Sequence, residues 1–194
     1  MASVRVWPPL MAVYVVAGIA ATTQTVYGAQ DVAVDARWRG NALAVSARAT
    51  LRASISVIWR TLTDYDHLAD FIPGMKKSRT LARQGTTATI EQIGEAQFLI
   101  FRYPIAVIVE SDEHYPVMIG LRMLTGNFRQ LAGAYRIETV HGSRDEFVLQ
   151  WRGIVEPDIL LPFFITAPGL RDDVEHQFLG MVREIEHRQH AAGQ

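Results

Sequence analysis

The chain predicts an α+β fold: a curved antiparallel sheet of about seven strands, covered in part by one long helix. Three observations carry this. Short segments with alternating apolar residues follow one another through the middle of the chain, two short helical segments interrupt them near the start, and the period changes to helical spacing near the end. The 194 residues, 49% of them hydrophobic, suffice for one well-buried core and are too few for two ordinary domains with linkers.

Residues 41–51 place Leu43, Val45, Ala47, Ala49 and Leu51 on one face and Arg48 and Thr50 on the other, the pattern of a half-buried strand. Ser54 is placed to cap a short helix that contains Ile55, Ile58, Trp59 and Leu62. Asp64 is placed to cap a second helical turn over residues 65–70, ended by Pro73-Gly74. Strands are expected at residues 76–83 and 86–94, joined at Gln84-Gly85, then at 97–103 and 105–113. Residues 117–125 align Val117, Ile119, Leu121 and Met123. Residues 128–140 contain the step Gly133-Ala134-Tyr135, and 146–155 align Phe147, Leu149, Trp151 and Val155. Strands this short and this closely spaced make an antiparallel meander.

Leu170, Val174, Phe178, Met181, Val182 and Ile185 then recur at helical spacing. Arg171, Asp172, Glu175, Arg183 and Glu186 fill the opposite side of this helix, which is expected to start after Pro168-Gly169 and to fray over 190–194. One helix covers a curved sheet only along part of its width, so the remaining concavity is filled by large side chains or left as a pocket.

The first residues have the order of a secretory signal. Arg5 is the only charge before Asp31, residues 10–21 are apolar, and small residues stand at Gly28 and Ala29. An uncleaved anchor or a buried helix is the alternative, but the apolar core falls short of the roughly 20 residues a bilayer span needs. The expected layout is a signal at 1–29, a loosely packed leader at 30–40 that includes Trp38, and a domain at 41–190. The mature chain would begin between Ala29 and Asp31, outside the cytoplasm.

Composition excludes several functions. Without cysteine there is no disulfide, thiol catalysis or cysteine metal site. A net charge of -1 without a basic stripe gives nucleic acid no electrostatic footing. No nucleophile elbow, paired-histidine zinc motif or phosphate-binding glycine loop occurs. Asp64, Asp66, His67 and Asp70 form one polar cluster, and Asp172, Asp173, Glu175 and His176 form another. Capping and solvated-face roles account for both better than a metal does, so neither metal nor cofactor is assigned. Glu91, Glu110 and Arg152 lie within strands, where alternation directs them to solvent.

At this point the chain resembles the START-like polyketide cyclase/dehydrase and lipid transport superfamily. The carriers of the resemblance are residues 59–74 (WRTLTDYDHLADFIPG), Gly126-Asn127-Phe128, Gly133-Ala134-Tyr135, and Leu161-Pro162 ahead of the closing helix. It extends from residue 41 to 188 and is similar in kind to the coenzyme Q-binding members. It implies a helix-grip fold with an apolar cavity between sheet and last helix, and a lipid, sterol, quinone or polyketide as occupant. Some members are cyclases and others carriers; fold alone does not choose.

The ligand-binding set expected on this basis is Phe71, Ile72, Met75, Phe101, Tyr103, Met123, Phe128, Tyr135, Trp151, Phe163, Phe164 and Phe178, with no catalytic residue assigned. Ordinary core packing is the competing role for these side chains. Residues 159–170 carry no charge, and Pro162, Pro168 and Gly169 argue against one regular helix there. They are expected to border the pocket mouth opposite residues 71–75 and to touch a membrane during loading. The leading expectation is an exported carrier of a hydrophobic small molecule. A cyclase or dehydratase using the same cavity is the alternative. The sequence does not specify the oligomeric state.

Overall fold

A computed structural model describes the backbone of residues 30–98, 101–158 and 163–193, and the side chains of residues 32–96, 102–158 and 171–193. Its strands are β1 (Gln30–Arg39), β2 (Ala42–Arg52), β3 (Met75–Gln84), β4 (Thr87–Phe98), β5 (Phe101–His114), β6 (Met118–Gly126), β7 (Phe128–Thr139) and β8 (Glu146–Pro157). They form one curved antiparallel sheet in the order β1-β2-β8-β7-β6-β5-β4-β3. The pairings β1–β2, β3–β4, β5–β6 and β7–β8 each contain a register shift, the local irregularity that bends a strand and increases its twist. Between β2 and β3 lie α1 (Ile55–Leu62), a 3-10 turn (Tyr65–His67) and α2 (Leu68–Phe71); α3 (Phe163–Ala192) closes the chain. No helix among the described residues is long and apolar enough to cross a membrane.

The expected leader is instead the edge strand β1. Val32, Val34, Ala36 and Trp38 are half-buried while Ala33, Asp35, Arg37 and Arg39 are exposed, the alternation of a sheet strand with one wet face. Gly40, at φ 63°, and Asn41 make the two-residue turn into β2, so Arg39 pairs with Ala42. This strand brings the sheet to eight.

A second correction concerns residues 97–103, expected as a separate strand. β4 continues to Phe98, which pairs with Phe101, so the chain reverses inside that segment and β5 runs on through Pro104. The β5–β6 ladder starts only at Val107, so on that side no ladder bond is asked of Pro104.

Ser54 caps α1 as expected, accepting from the Val57 N–H at 3.4 Å. Asp64 makes no side-chain cap, because its carboxylate holds His67 Nδ1 at 2.6 Å and Arg188 at 2.8 Å. α3 starts at Phe163, ahead of Pro168-Gly169 rather than after them. Proline removes one main-chain hydrogen bond, yet its fixed φ is itself helical, and here the helix continues through it. Asp172 and Asp173 therefore stand well inside α3 and not in its first turn, so the dipole argument for them fails.

The core lies between the concave sheet face, α1 and the C-terminal half of α3. Leu51, Ile58, Leu149, Val182 and Ile185 are fully sealed there. Gly180 makes the fit possible: a Cβ on it would stand 2.6 Å from the Phe71 carbonyl oxygen and 2.7 Å from Pro73 Cδ. The Ser54 N–H donates to Gln189 Oε1 at 2.8 Å, and Arg188 bridges Asp64 and Glu184, which pins that half of the helix.

Candidate ligand cavity

Two glycines and two aromatic rings build the floor of a cavity. Gly133 of β7 faces Gly153 of β8 across the ladder, and Tyr135 faces Trp151 in the next inward pair. A Cβ on Gly133 would stand 2.5 Å from Trp151 Cη2, and one on Gly153 2.9 Å from Cζ2. The absent side chains let the indole lie down along the sheet rather than project from it. Its ring centroid is 4.7 Å from that of Tyr135, tilted by 46°.

Above this floor remains a cavity of about 250 Å³. Ile105, Val107, Val109 and Ile119 of β5 and β6 wall one side, and Val174, Phe178 and Met181 of α3 roof it. An interior void of about 150 Å³ accommodates benzene. This cavity therefore takes something larger, on the scale of two fused rings or the ring end of a longer molecule. At another wall the backbones of Gly74 and Gly94 nearly touch: a Cβ on Gly94 would stand 2.6 Å from the Gly74 carbonyl oxygen. Gly74 at φ 79° turns the chain from α2 into β3, and its carbonyl accepts from the Glu95 N–H at 2.9 Å. This contact sets Ile72 and Met75 into the cavity wall beside Ile93.

Polar groups in the wall fall into two kinds. Most are already engaged. Tyr65 Oη shares a hydrogen bond with Ser111 Oγ at 2.7 Å and donates to Glu113 at 2.9 Å, and Arg83 holds both oxygens of Glu113 at 3.0 Å. Burial raises the Tyr65 phenol strongly, with Glu113 adding to the shift and Ser111 opposing it. Glu95 is paired with Lys76 at 2.6 Å and Arg102 at 3.5 Å, Arg122 with Glu110 at 2.6 Å, and Gln177 donates to Asp173 at 2.9 Å. Tyr135 Oη and the Gln92 carboxamide, in contrast, have no hydrogen-bond partner among the described residues. Burial alone pushes the Tyr135 phenol up to about 12.

Of the expected ligand set, the fold brings Ile72, Met75, Phe128, Tyr135, Trp151 and Phe178 to this one cavity. Three others stand elsewhere. Phe71 lies under the Arg188 guanidinium, 5.5 Å from its ring centroid, and Met123 packs against the main core. Tyr103 stands edge-on to Phe128 at 5.6 Å, and its hydroxyl donates to the Asn127 carbonyl. The side chains of Phe101, Phe163 and Phe164 lie outside the described residues, as does the side-chain part of the expected mouth at 159–170. The expected set leaned on aromatic rings and missed the aliphatic wall, Leu131 and Val174 among it. Inward register from Trp151 would have found Val155 and its ladder partner Leu131.

The two polar clusters do not converge on a site. Asp64 ties the 3-10 turn to α3: burial alone would raise its carboxyl, but His67 and Arg188 hold it below its ordinary value. Asp66 accepts from the Thr80 N–H at 2.7 Å. Asp172 and His176 are exposed on α3, and no group of three acidic or histidine side chains among the described residues is arranged to hold a metal. Glu91 and Glu110 pair with surface cations, and Arg152 is exposed behind Trp151.

A curved sheet closed by its last helix over an apolar cavity defines the helix-grip class of hydrophobic-ligand folds. The profile of the polyketide cyclase/dehydrase and lipid transport family matches residues 51–180, and the chain belongs to that family. Solved structures share the fold at low identity. A STAR-related lipid transfer protein from Xanthomonas axonopodis is 10% identical with a TM-score of 0.64, covering 81% of this chain and 96% of its own. The Zhui aromatase/cyclase from a Streptomyces species is 16% identical with a TM-score of 0.61, covering 79% and 96%. A START superfamily protein from Mycobacterium smegmatis is 18% identical with a TM-score of 0.58, covering 77% and 98%. A comparison with curated proteins finds no match.

Proposed function

We propose that this protein is an exported carrier that binds a hydrophobic small molecule, of lipid, isoprenoid or quinone type, in the cavity between sheet and α3. The observation that carries the reading is the wall itself. It is predominantly apolar, and its ionisable side chains Glu95 and Arg122 are already paired with partners outside it. A site built for proton transfer needs a titrating group aimed at the reacting atoms, whereas a carrier needs only shape and burial. Native mass spectrometry of protein purified gently from its own host tests this. A co-purified hydrophobic molecule is expected; an empty protein with no affinity for any extracted lipid contradicts the reading.

Export is the second part of the proposal, supported by the charge, apolar core and small-residue order of residues 1–29, which lie outside the described residues. N-terminal sequencing of the exported fraction should begin between Ala29 and Asp31; an intact Met1 there contradicts it. Loading at a membrane through residues 159–170 is the third. Phe163→Asp with Phe164→Asp should slow transfer between vesicles without shifting the thermal midpoint, and an unfolded or normally transferring variant counts against it.

One observation favours a second reading, a cyclase or dehydratase. A phenol without a protein acceptor among the described residues, that of Tyr135, stands in the cavity wall, and burial raises it, so it is a neutral donor able to polarise a carbonyl, whereas the Tyr65 proton is already given to Glu113. Conversion of a reactive poly-ketone by the wild type, lost in Tyr135→Phe, would establish it.

A further inference from the structure

The wall places one hydrogen-bond donor over a flat aromatic floor without giving it a partner. Tyr135 sits in register with Trp151, and the indole lies along Gly133 and Gly153. The open part of the Tyr135 side chain lies on the cavity, and no described residue accepts from its hydroxyl. A hydroxyl with no protein acceptor is left unpaired when an apolar occupant displaces water from it, and an occupant that supplies the acceptor avoids that cost.

The surroundings also limit the charge that occupant can carry. The cation in the wall, Arg122, is exposed and bound to Glu110 at 2.6 Å, and Glu95 adds a carboxylate to the rim. A carboxylate drawn to Tyr135 would lose its hydration and meet no free cation among the described residues of the wall.

We propose that Tyr135 Oη donates the hydrogen bond that orients a small, flat, uncharged ligand through a carbonyl or hydroxyl oxygen, with the ligand's ring plane against the Trp151 indole. The proposal rests on the cavity being the binding site. With the phenol pushed up to about 12, Tyr135 remains a donor throughout the physiological range. Gln92, the other wall group without a partner, presents both a donor and an acceptor and so does not select for an acceptor oxygen.

Three probes of one shape separate the contributions: 2-acetylnaphthalene, 2-ethylnaphthalene and 2-naphthoate, titrated by calorimetry into wild type, Tyr135→Phe and Gln92→Leu. The wild type should bind the ketone most tightly and the carboxylate least. Tyr135→Phe should weaken the ketone about tenfold, the scale of one hydrogen bond, and leave the ethyl compound unchanged. Its thermal midpoint should not fall, because no protein partner is lost.

Four results overturn the proposal: an unchanged ketone-to-ethyl ratio in Tyr135→Phe, loss of that ratio in Gln92→Leu instead, tightest binding of the carboxylate, or a clearly lower midpoint in Tyr135→Phe. Failure of all three probes to bind the wild type would overturn the cavity reading along with it. Binding of the ethyl compound with an unchanged ratio would remove only the role of Tyr135.

Discussion

Along β8 the same concave face is furnished in two ways. Phe147 and Leu149 are sealed beneath α1 and the C-terminal half of α3, whereas Trp151 and Val155, further along the same strand, border a cavity. Their β7 partners follow suit: Ile137, opposite Leu149, is buried, while Tyr135 and Leu131 are half-buried against empty space. Strand chemistry does not cause the difference, since both stretches present large apolar side chains at alternate positions. The cover does. At the sealed end, Gly180 lets α3 touch residues 71–73, and Arg188, Glu184, Gln189 and Asp64 lock the helix down. Toward the other end, Gly133 and Gly153 lower the floor by letting the indole lie flat. A cavity in a close-packed protein is maintained by anchoring at one end and small residues at the other.

This contrast breaks most visibly under truncation. Ile185→Ala, at the sealed end, should cost about 2–5 kcal/mol in denaturant unfolding, because a cavity appears where packing was complete. Leu131→Ala should cost about 1 kcal/mol, since a wall side chain already lacks contacts on its open side. Equal losses would mean that the two ends are packed alike.

Gly133→Ala attacks the floor. The new methyl would collide with the indole, so about 1–3 kcal/mol of stability should be lost and Trp151 displaced into the cavity. A shifted tryptophan emission and weaker naphthalene binding would report it; an unperturbed variant would show that the glycine pair does not set the floor.

Leu131→Phe acts in the opposite sense. Filling the void should raise stability by about 0.5–1 kcal/mol while abolishing probe binding, the usual opposition between cavity filling and function. Stabilisation with binding retained would place the binding site elsewhere.

The smallest effect is electrostatic and belongs to the anchored end. The hydrogen bond to Asp64 raises His67 above its ordinary 6.5, so the stabilisation it contributes is complete below that pH and is lost as pH rises through the raised value. The Asp64 carboxyl is held below 3.8, so its contribution is present above its ordinary range and is lost only as pH falls through the lowered value. The difference in thermal midpoint between wild type and His67→Asn should therefore be greatest near about pH 5.5 and shrink by about pH 8.5. A difference that grows with pH would refute the pairing.

How far the sequence revealed this design depended on whether the signal was local. Ser54, the alternation of β2 and the 3.6-residue period of Phe178, Met181, Val182 and Ile185 are local patterns, and each produced the element expected. β1 is also a local pattern, the alternation of Val32, Val34, Ala36 and Trp38, but small and charged residues between them and a signal-like segment just ahead give the same stretch the look of a leader. The reach of α3 back to Phe163 is hidden by Pro168-Gly169, the two residue types of lowest helix propensity, a local preference that tertiary context overrides here. The cavity was only half legible. Residue type pointed to Tyr135, Trp151 and Phe178. The aliphatic wall and the diversion of Phe71 and Tyr103 depend on ladder register and on Arg188 and Asn127, which are distant in sequence.

The most direct test of a cavity kept open for a ligand is the thermal midpoint of the wild type and of Leu131→Phe, each with and without saturating 2-acetylnaphthalene. An occupant that binds the folded state alone raises the midpoint by an amount that grows with the logarithm of its concentration over its dissociation constant, about 2.7 kcal/mol of stabilisation at a hundredfold excess. The account predicts a clear rise for the wild type and none for the filled variant, which should already melt slightly higher. Equal rises in the two proteins, or none in the wild type, would contradict it.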